Sequence, residues 1–516
     1  MAENLAATEP LPASARGAGL IRWIEGQPGT AFGAFLGVHF AVWTVLPALL
    51  YANLPLDLIE ALVYGREWQL GYDKLPPLPW WLIEAVHRTV DADIGYYATA
   101  QIAVLIAFAL VFALARPLVG ATGALVAVLI IDGLHYFQYT AVKFNHDVIQ
   151  LPFWALAGYA FHAALRRGGL GPWCLLGFAM GGALWSKYFV VVLAVPYVLF
   201  MLFDRQARRA FATPGPWLAL CVALAVAAPH IVWLIQSDFL PFAYASHRAA
   251  PVRGWFDHVI HPLVFLGGQI FFLLPSFFIA AAMLWPREDK PLESNKSFIE
   301  PFDRRIVTLL AFGPALTMIA LAAVSGRGAV AMWGYPLWLF LGLWLVITAR
   351  VRFDTLRLTR IIAAWAVVFT VFVVAFIANY LVLPPLDHRY RAVLFPGDRL
   401  GEMLTARFHD ATCRSADCAP LRYVIGSMWD GGNLAHYSPD QPRVLIDGLP
   451  TRAPWIDLDD LREKGAILVW TQSDPREVPP AFAAIAPGAE LGAPFDLPLR
   501  RGDGTVHVGW AILRPR

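Results

Sequence analysis

Two carboxylates three positions apart, Asp57 and Glu60, follow the first long apolar run, and Lys74 stands further on in Gly71-Tyr-Asp-Lys-Leu-Pro-Pro-Leu-Pro-Trp-Trp81. A carboxylate at a bilayer edge loses water on one side and persists there only where something compensates its desolvation. On a helix Asp57 and Glu60 share a face, with Tyr64 one turn further. This is a carboxylate cluster aimed one way, and a lysine held at the interface can meet a phosphate as a point charge. The plainer alternative makes Asp57 the cap of a short interfacial helix with Glu60 in its first turn, and Lys74 a snorkelling side chain. The paired prolines Pro76 and Pro77 stiffen the chain after Lys74, and Trp80 and Trp81 suit headgroup depth.

A second outer segment, Tyr139-Thr-Ala-Val-Lys-Phe-Asn-His-Asp147, places Asn145, His146 and Asp147 at the opening of a helix, a frequent capping position. Lys187, Arg248 and Arg253 are expected on the same side of the membrane, so one outer cavity could gather carboxylates and cations. Tyr72, Asp73 and Tyr335 join Tyr64, Asn145 and His146 as candidates for binding substrate. His261, Gln269, Arg327 and Trp333 are weaker candidates, since polar groups in spans are more often satisfied by neighbouring helices. His146 and Asp147 leave a divalent metal open, although no ligand pattern of strong spacing is present. No P-loop, Gly-Xaa-Ser-Xaa-Gly elbow or His-Glu-Xaa-Xaa-His occurs, which weighs against nucleotide-driven pumps and covalent hydrolases.

The elements that must position these residues follow from composition. The 516 residues are 58% hydrophobic and 15% charged, with a mean hydropathy of +0.55, against roughly 25% charged in soluble proteins. This predicts a polytopic α-helical membrane protein. Runs of about 20 apolar residues are read near 31–53, 95–115, 119–138, 149–165, 170–186, 188–203, 216–236, 261–285, 306–325, 333–349 and 361–383, about eleven spans. No secretory signal peptide is evident in residues 1–30, so the first span is expected to serve as the insertion signal. Basic residues are retained on the cytoplasmic side. Arg22, Arg116, Arg166, Arg167, Arg208, Arg209, Arg304, Arg305, Arg350 and Arg352 fall on one side of this scheme, which puts the 54–94 loop and the tail outside. Net charge is +2 with no basic face, so no nucleic-acid partner is expected.

After Leu383 the composition changes. Residues 384–516 alternate short apolar runs with Gly, Pro and Asp, which reads as a soluble α/β domain, long enough to bury a core of its own. Cys413 and Cys418 lie in a polar loop there, and in an exported tail they are expected to pair, with free thiols or a metal pair as alternatives.

The order of a first span, an Asp with a nearby Glu, Gly-Tyr-Xaa-Lys-Xaa-Pro-Pro-Leu-Pro-Xaa-Trp, and a later Lys-Xaa-Asn-Xaa-Asp before a Trp-containing span resembles the GT-C glycosyltransferases. Within these it is similar to the bacterial branch related to protein O-mannosyltransferases and the aminoarabinose lipid A transferase, rhizobial galacturonosyltransferase-like proteins included. The likeness is strongest over Leu56–Trp81 and Lys143–Trp154 and weaker over Leu176–Tyr188. It implies a GT-C membrane domain over 31–383 with a catalytic outer loop 54–94, a periplasmic domain over 384–516, and residence in the bacterial inner membrane. It implies that Asp57 is the base or orienting carboxylate, that Lys74 contacts the donor phosphate, and that Asp147 is the second acidic position. Leu58 and Ile59 separate Asp57 from Glu60 where the family more often has an adjacent acidic pair, which loosens the role of Glu60. The implied donor is a sugar on a polyprenyl phosphate, the acceptor a glycolipid, saccharide or protein, and the stereochemistry inverting. Arg248 and Arg253 would assist Lys74 and Lys187 at the phosphate. The rival reading is a transporter or flippase of a lipid-linked sugar.

Overall fold

The computed structural model describes residues 13–90, 92–248, 251–286, 299–387, 389–413 and 419–516; the side chains of residues 13–18, 245, 247 and 248 lie outside that description. The chain is a multi-pass membrane protein. Among the described residues, seven helices are long and apolar enough to cross a bilayer: Pro28–Leu50, Ile94–Asp132, His146–Arg167, Gly215–Gln236, Asp257–Leu284, Pro301–Ser325 and Thr355–Val382. Shorter apolar helices, Leu170–Ser186, Val190–Phe203 and Leu341–Ala349, pack among them.

Several expected spans differ from the helices observed. The runs read near 95–115 and 119–138 are two helices that meet at a kink within Ile94–Asp132, where Gly120 takes φ 74° and ψ 170°. Side chains are excluded from that backbone geometry, glycine is not. The helix then stops at Asp132 and reaches the next span through turns and a 3-10 turn, Ala141–Lys143. The run read near 333–349 begins as a 3-10 turn at Ala331–Gly334 and becomes α-helical only at Leu341.

The outer loop folds into two helices, Leu56–Gly65 and Leu78–Thr89. They cross so closely at Gly65 that a Cβ there would lie 2.4 Å from the Trp80 carbonyl oxygen. Pro55 precedes the first helix and Asp57 sits in its first turn, where the helix dipole favours a negative charge.

The tail carries a six-stranded sheet: β1 (Tyr423–Gly426), β2 (Arg443–Ile446), β3 (Ala466–Trp470), β4 (Glu490–Leu491), β5 (Phe495–Pro498) and β6 (Thr505–Leu513). β1 pairs in parallel with β2 and β3, while β6 runs antiparallel to β3, β4 and β5. Side chains alternate across the sheet. Val424, Ile467 and Val469 pack against Leu400, Leu404 and Phe408 of helix Gly397–Thr412, and Ile425, Leu445 and Leu468 pack with Ile456, Leu461 and Phe482 on the other face. Cys413 is disulfide-bonded; Cys418, its expected partner, lies outside the described residues. Cys174 and Cys221 are free thiols.

The tail is seated on the membrane part. Arg501 Nη1 donates to the carbonyls of Leu50 at 2.7 Å and Tyr380 at 2.8 Å. The Val393 carbonyl accepts from the amides of Ala52 and Asn53, each at 3.0 Å. Helix Asp430–Tyr437 lies on helix Leu56–Gly65, with Gly432 so close to Ile59 that a Cβ would come within 2.5 Å of its Cγ2.

Candidate active site

A cavity of about 370 Å³ opens between the outer loop, the start of helix His146–Arg167 and the segments around Lys187 and Val330. Asp57, Glu60, Lys74, Asn145, His146, Asp147 and Lys187 all line it. The sequence reading brings these seven together from three separate stretches of chain. Leu75, Trp80, Phe144, Phe189, Met332 and Trp333 supply the apolar walls.

The backbone places the polar groups. Phe144 holds φ 43°, a region a bulky residue seldom occupies, and it turns Asn145 into an extended conformation at the helix start. The Asn145 side chain then works at both ends. Its Oδ1 accepts from the Val148 amide at 3.1 Å, capping the helix, and its Nδ2 donates to Asp57 Oδ2 at 3.3 Å. Lys187 ends helix Leu170–Ser186 in extended backbone and extends its ammonium to Asp147 Oδ1 at 2.5 Å, where Gln150 Nε2 also donates at 2.9 Å. That ammonium lies 5.7 Å from the ring centres of Phe189 and Trp333.

Lys74 Nζ meets Glu60 Oε2 at 2.5 Å and faces the Tyr244 ring at 5.2 Å. Burial works against its charge, but Glu60 and the Tyr244 side chain outweigh that and hold the lysine above its ordinary range. Asp57 is different. Its only side-chain hydrogen bond within the described residues is the long one from Asn145, and no lysine lies within 4.0 Å of it. Although partly open to the cavity space, it is walled in by protein, and this desolvation pushes its carboxyl above the usual carboxylate range, against the pull of Lys74 and the Asn145 amide.

The remaining expected site residues fall elsewhere. Tyr64, Tyr72 and Asp73 form the inner frame of the outer loop. Tyr64 stacks on Trp80 at 4.3 Å, and the Tyr72 hydroxyl donates to the Tyr64 carbonyl at 2.6 Å. The Tyr64 hydroxyl donates to Asp73 Oδ1 at 2.6 Å. His146 Nε2 bonds the Pro76 carbonyl at 3.0 Å and turns its edge to Trp80, so it ties the two outer segments together while lining the cavity. Tyr335 is fully buried against Tyr136, behind the wall. Arg253 is exposed. Asp257 accepts its backbone N–H at 2.6 Å, and Arg253 is not among the residues that line the cavity. The side chain of Arg248 lies outside the described residues. His261 and Gln269 bond backbone carbonyls of Gly326 and Ala331, and Arg327 bonds that of Ser246.

The tail supplies residues that sequence reasoning missed. Arg452 Nε donates to Asp73 Oδ2 at 2.9 Å and its Nη1 pairs with Asp447. Arg443 forks onto Glu67. Trp455 sets its ring edge-on to Tyr64 and Tyr72. Asp447-Gly448 marks a turn after β2, but nothing local in the sequence points to its distant partners.

A family model described as dolichyl-phosphate-mannose-protein mannosyltransferase matches residues 74–233, which include Lys74, Asp147 and Lys187. Over nearly its whole length the chain is 26% identical to the lipopolysaccharide core galacturonosyltransferase RgtA of Rhizobium johnstonii, covering 94% of this chain and 97% of that one. The crystal structure of ArnT from Cupriavidus metallidurans bound to undecaprenyl phosphate superposes with a TM-score of 0.61 at 15% identity, over 94% of this chain and 97% of that one. The chain is a glycosyltransferase with an ArnT-like GT-C fold. The lipid A galacturonosyltransferase RgtD of Rhizobium johnstonii is a partial relative, 25% identical over 40% of this chain and 44% of that one. For a GT-C glycosyltransferase the cavity has an evident use, and the transporter reading gives way to it.

Both cavity lysines are matched one to one with carboxylates, Lys74 with Glu60 and Lys187 with Asp147. Among the described residues no three of His, Cys, Asp and Glu converge as a metal cage. A divalent cation in this cavity would have to displace a lysine from its carboxylate or rely on Asp57.

Proposed function

We propose that this transferase moves a sugar from a polyprenyl-phosphate donor to a hydroxyl of a glycolipid acceptor on the periplasmic face of a bacterial inner membrane, with the tail on that side. The observation that carries the reading is the singular state of Asp57. It is the one cavity carboxylate without a lysine at ion-pair distance, and its desolvation raises its affinity for a proton. A base near a hydroxyl needs both properties.

In this mechanism the polyprenyl chain stays in the bilayer and the sugar phosphate enters the cavity, the apolar walls covering the sugar. Asp57 takes the proton from the acceptor hydroxyl as its oxygen attacks the anomeric carbon. The bond from that carbon to the phosphate oxygen breaks, and its electron pair leaves with polyprenyl phosphate. The new negative charge develops where Lys74 and Lys187 stand, and preorganised cations aimed at developing charge are a strong source of rate enhancement. A direct displacement inverts the anomeric centre. Glu60 and Asp147 then hold the two lysines in place and act as positioning residues. The two lysines take the part a divalent metal would play.

The test is transfer from radiolabelled polyprenyl-phosphate sugars to membrane acceptors by purified protein in liposomes. Asp57→Asn is expected to lower turnover by about 10²–10⁴-fold, the usual contribution of a general base, while still binding polyprenyl phosphate. Turnover near that of the unmodified protein would remove Asp57 from the mechanism.

A further inference from the structure

A second cavity, of about 640 Å³, lies on the opposite side of helix Leu56–Gly65 from the first. Its wall on that helix is Leu62, Val63 and Arg66, on the face turned away from Asp57, Glu60 and Tyr64. Helix Leu78–Thr89 contributes Glu84, His87 and Arg88, and the tail contributes Gly432, His436, Gln441 and Arg443. It is therefore a seam between outer loop and tail, formed only when the two dock.

Its charges do not cancel. Arg443 forks onto Glu67, and Arg88 Nε bonds Glu84 Oε1 at 2.7 Å while lying over the Trp68 ring at 5.6 Å. Arg66 has no carboxylate at ion-pair distance among the described residues; its Nη1 donates to the backbone carbonyls of Gln441 and Pro442, both at 2.9 Å. Three guanidiniums thus face two carboxylates. The two histidines stand with ring centres 6.0 Å apart. Burial and the neighbouring His87 push His436 down to about 4, so it adds no charge at neutral pH. What remains is one planar, permanently charged guanidinium with no carboxylate at ion-pair distance among the described residues, its Nη1 held by two carbonyls and its Nε and Nη2 left to the wall of a polar cavity large enough for a few sugar units. A guanidinium fork matches a carboxylate or a phosphate in both geometry and charge.

We propose that this second cavity binds an anionic saccharide, a sugar bearing a carboxylate or a phosphate, through the fork of Arg66. The inference rests on the transferase reading in one respect, that it takes the saccharide to be part of the acceptor. The cavity borders the helix that carries Asp57, so an acceptor held there by its charge reaches across the outer loop toward the reacting centre.

The experiment is direct binding to the full-length protein in nanodiscs, with trigalacturonic acid, glucosamine 1-phosphate, inorganic phosphate and maltotriose as separate probes. Trigalacturonic acid or glucosamine 1-phosphate is expected to bind, whichever is tighter naming the anion, with maltotriose at least tenfold weaker. Arg66→Gln is expected to lose at least tenfold in affinity and Arg66→Lys to fall between, both with unfolding midpoints close to the unmodified protein. Equal affinity in Arg66→Gln, equal binding of maltotriose, or binding of inorganic phosphate alone would each overturn the proposal. Should Arg66→Gln unfold, Arg66→Lys decides by the same criterion. Because binding is read without turnover, failure here leaves the transferase reading standing, and a failed transfer assay leaves this binding result intact.

Discussion

Arg452 Nε reaches Asp73 Oδ2 at 2.9 Å across 379 positions of chain, and Asp73 in turn accepts from the Tyr64 hydroxyl on the helix that carries Asp57. The pair is largely buried, with side-chain exposures of 26% and 12%. Removing the arginine strands a desolvated carboxylate, at about 1–3 kcal/mol. Arg452→Ala is therefore expected to lower the unfolding midpoint and the turnover together. A double-mutant cycle with Asp73→Asn should return a coupling of roughly 0.5–3 kcal/mol; strict additivity would show that the contact is idle.

The pH dependence of transfer follows from Asp57. A base works in its deprotonated form, and burial raises this carboxyl above its ordinary range. Activity is then full above the raised pKa and lost as pH falls through it, at a higher pH than an exposed aspartate would give. Profiles of kcat/KM should show this acid limb in the unmodified protein, and residual turnover of Asp57→Asn should lack it.

Lys187 and Asp147 separate folding from donor binding. Both are about nine-tenths buried, so Lys187→Met leaves an unpaired buried charge and should cost about 3–5 kcal/mol. Adding Asp147→Asn removes that charge and should recover most of the unfolding midpoint. Affinity for polyprenyl phosphate should remain about tenfold or more weakened in the double variant. Recovery of both quantities would take Lys187 away from the phosphate.

With Glu60 and Asp147 each engaged by a lysine, turnover in excess chelator should match turnover with added magnesium to within about twofold, since the cations that stabilise the leaving phosphate are covalent parts of the chain. A chelator-dependent loss restored by a divalent ion would assign the carboxylates to a metal.

Gly65→Ala tests the geometry of the outer loop. A Cβ there meets the Trp80 carbonyl oxygen at 2.4 Å and Glu84 Cβ at 3.0 Å, neither of which can move without parting the two helices. Overpacking of this kind costs about 1–3 kcal/mol, and the displaced helix should carry Asp57 away from Asn145, lowering turnover as well as the unfolding midpoint.

The residues that could be read from sequence are those whose chemistry is local. Asp57 and Glu60 share a helical face because they lie three apart, and Asn145 opens its helix because its short side chain caps well. Their convergence with Lys187 followed from placing all three segments on one side of the membrane. Arg443, Arg452 and Trp455 escaped notice because a contact over hundreds of positions leaves no periodicity behind. Arg253 lies in an exposed stretch outside the cavity, a placement that its side of the membrane does not reveal. The sheet was legible in its short apolar runs, whereas the sharpness of the kink between two expected spans depends on the positive φ of Gly120.

The seam between outer loop and tail also bears on how such enzymes can be recombined. A composition change near Leu383 suggests a clean place to cut, and a tail from a relative would be easy to splice there. Yet the grafted piece would have to present arginines to Glu67 and Asp73, a flat glycine to Ile59 and an aromatic edge to Tyr64. Loop and tail are one inheritable part written in two places, and a chimera that respects the linear boundary while ignoring this match joins halves that do not fit.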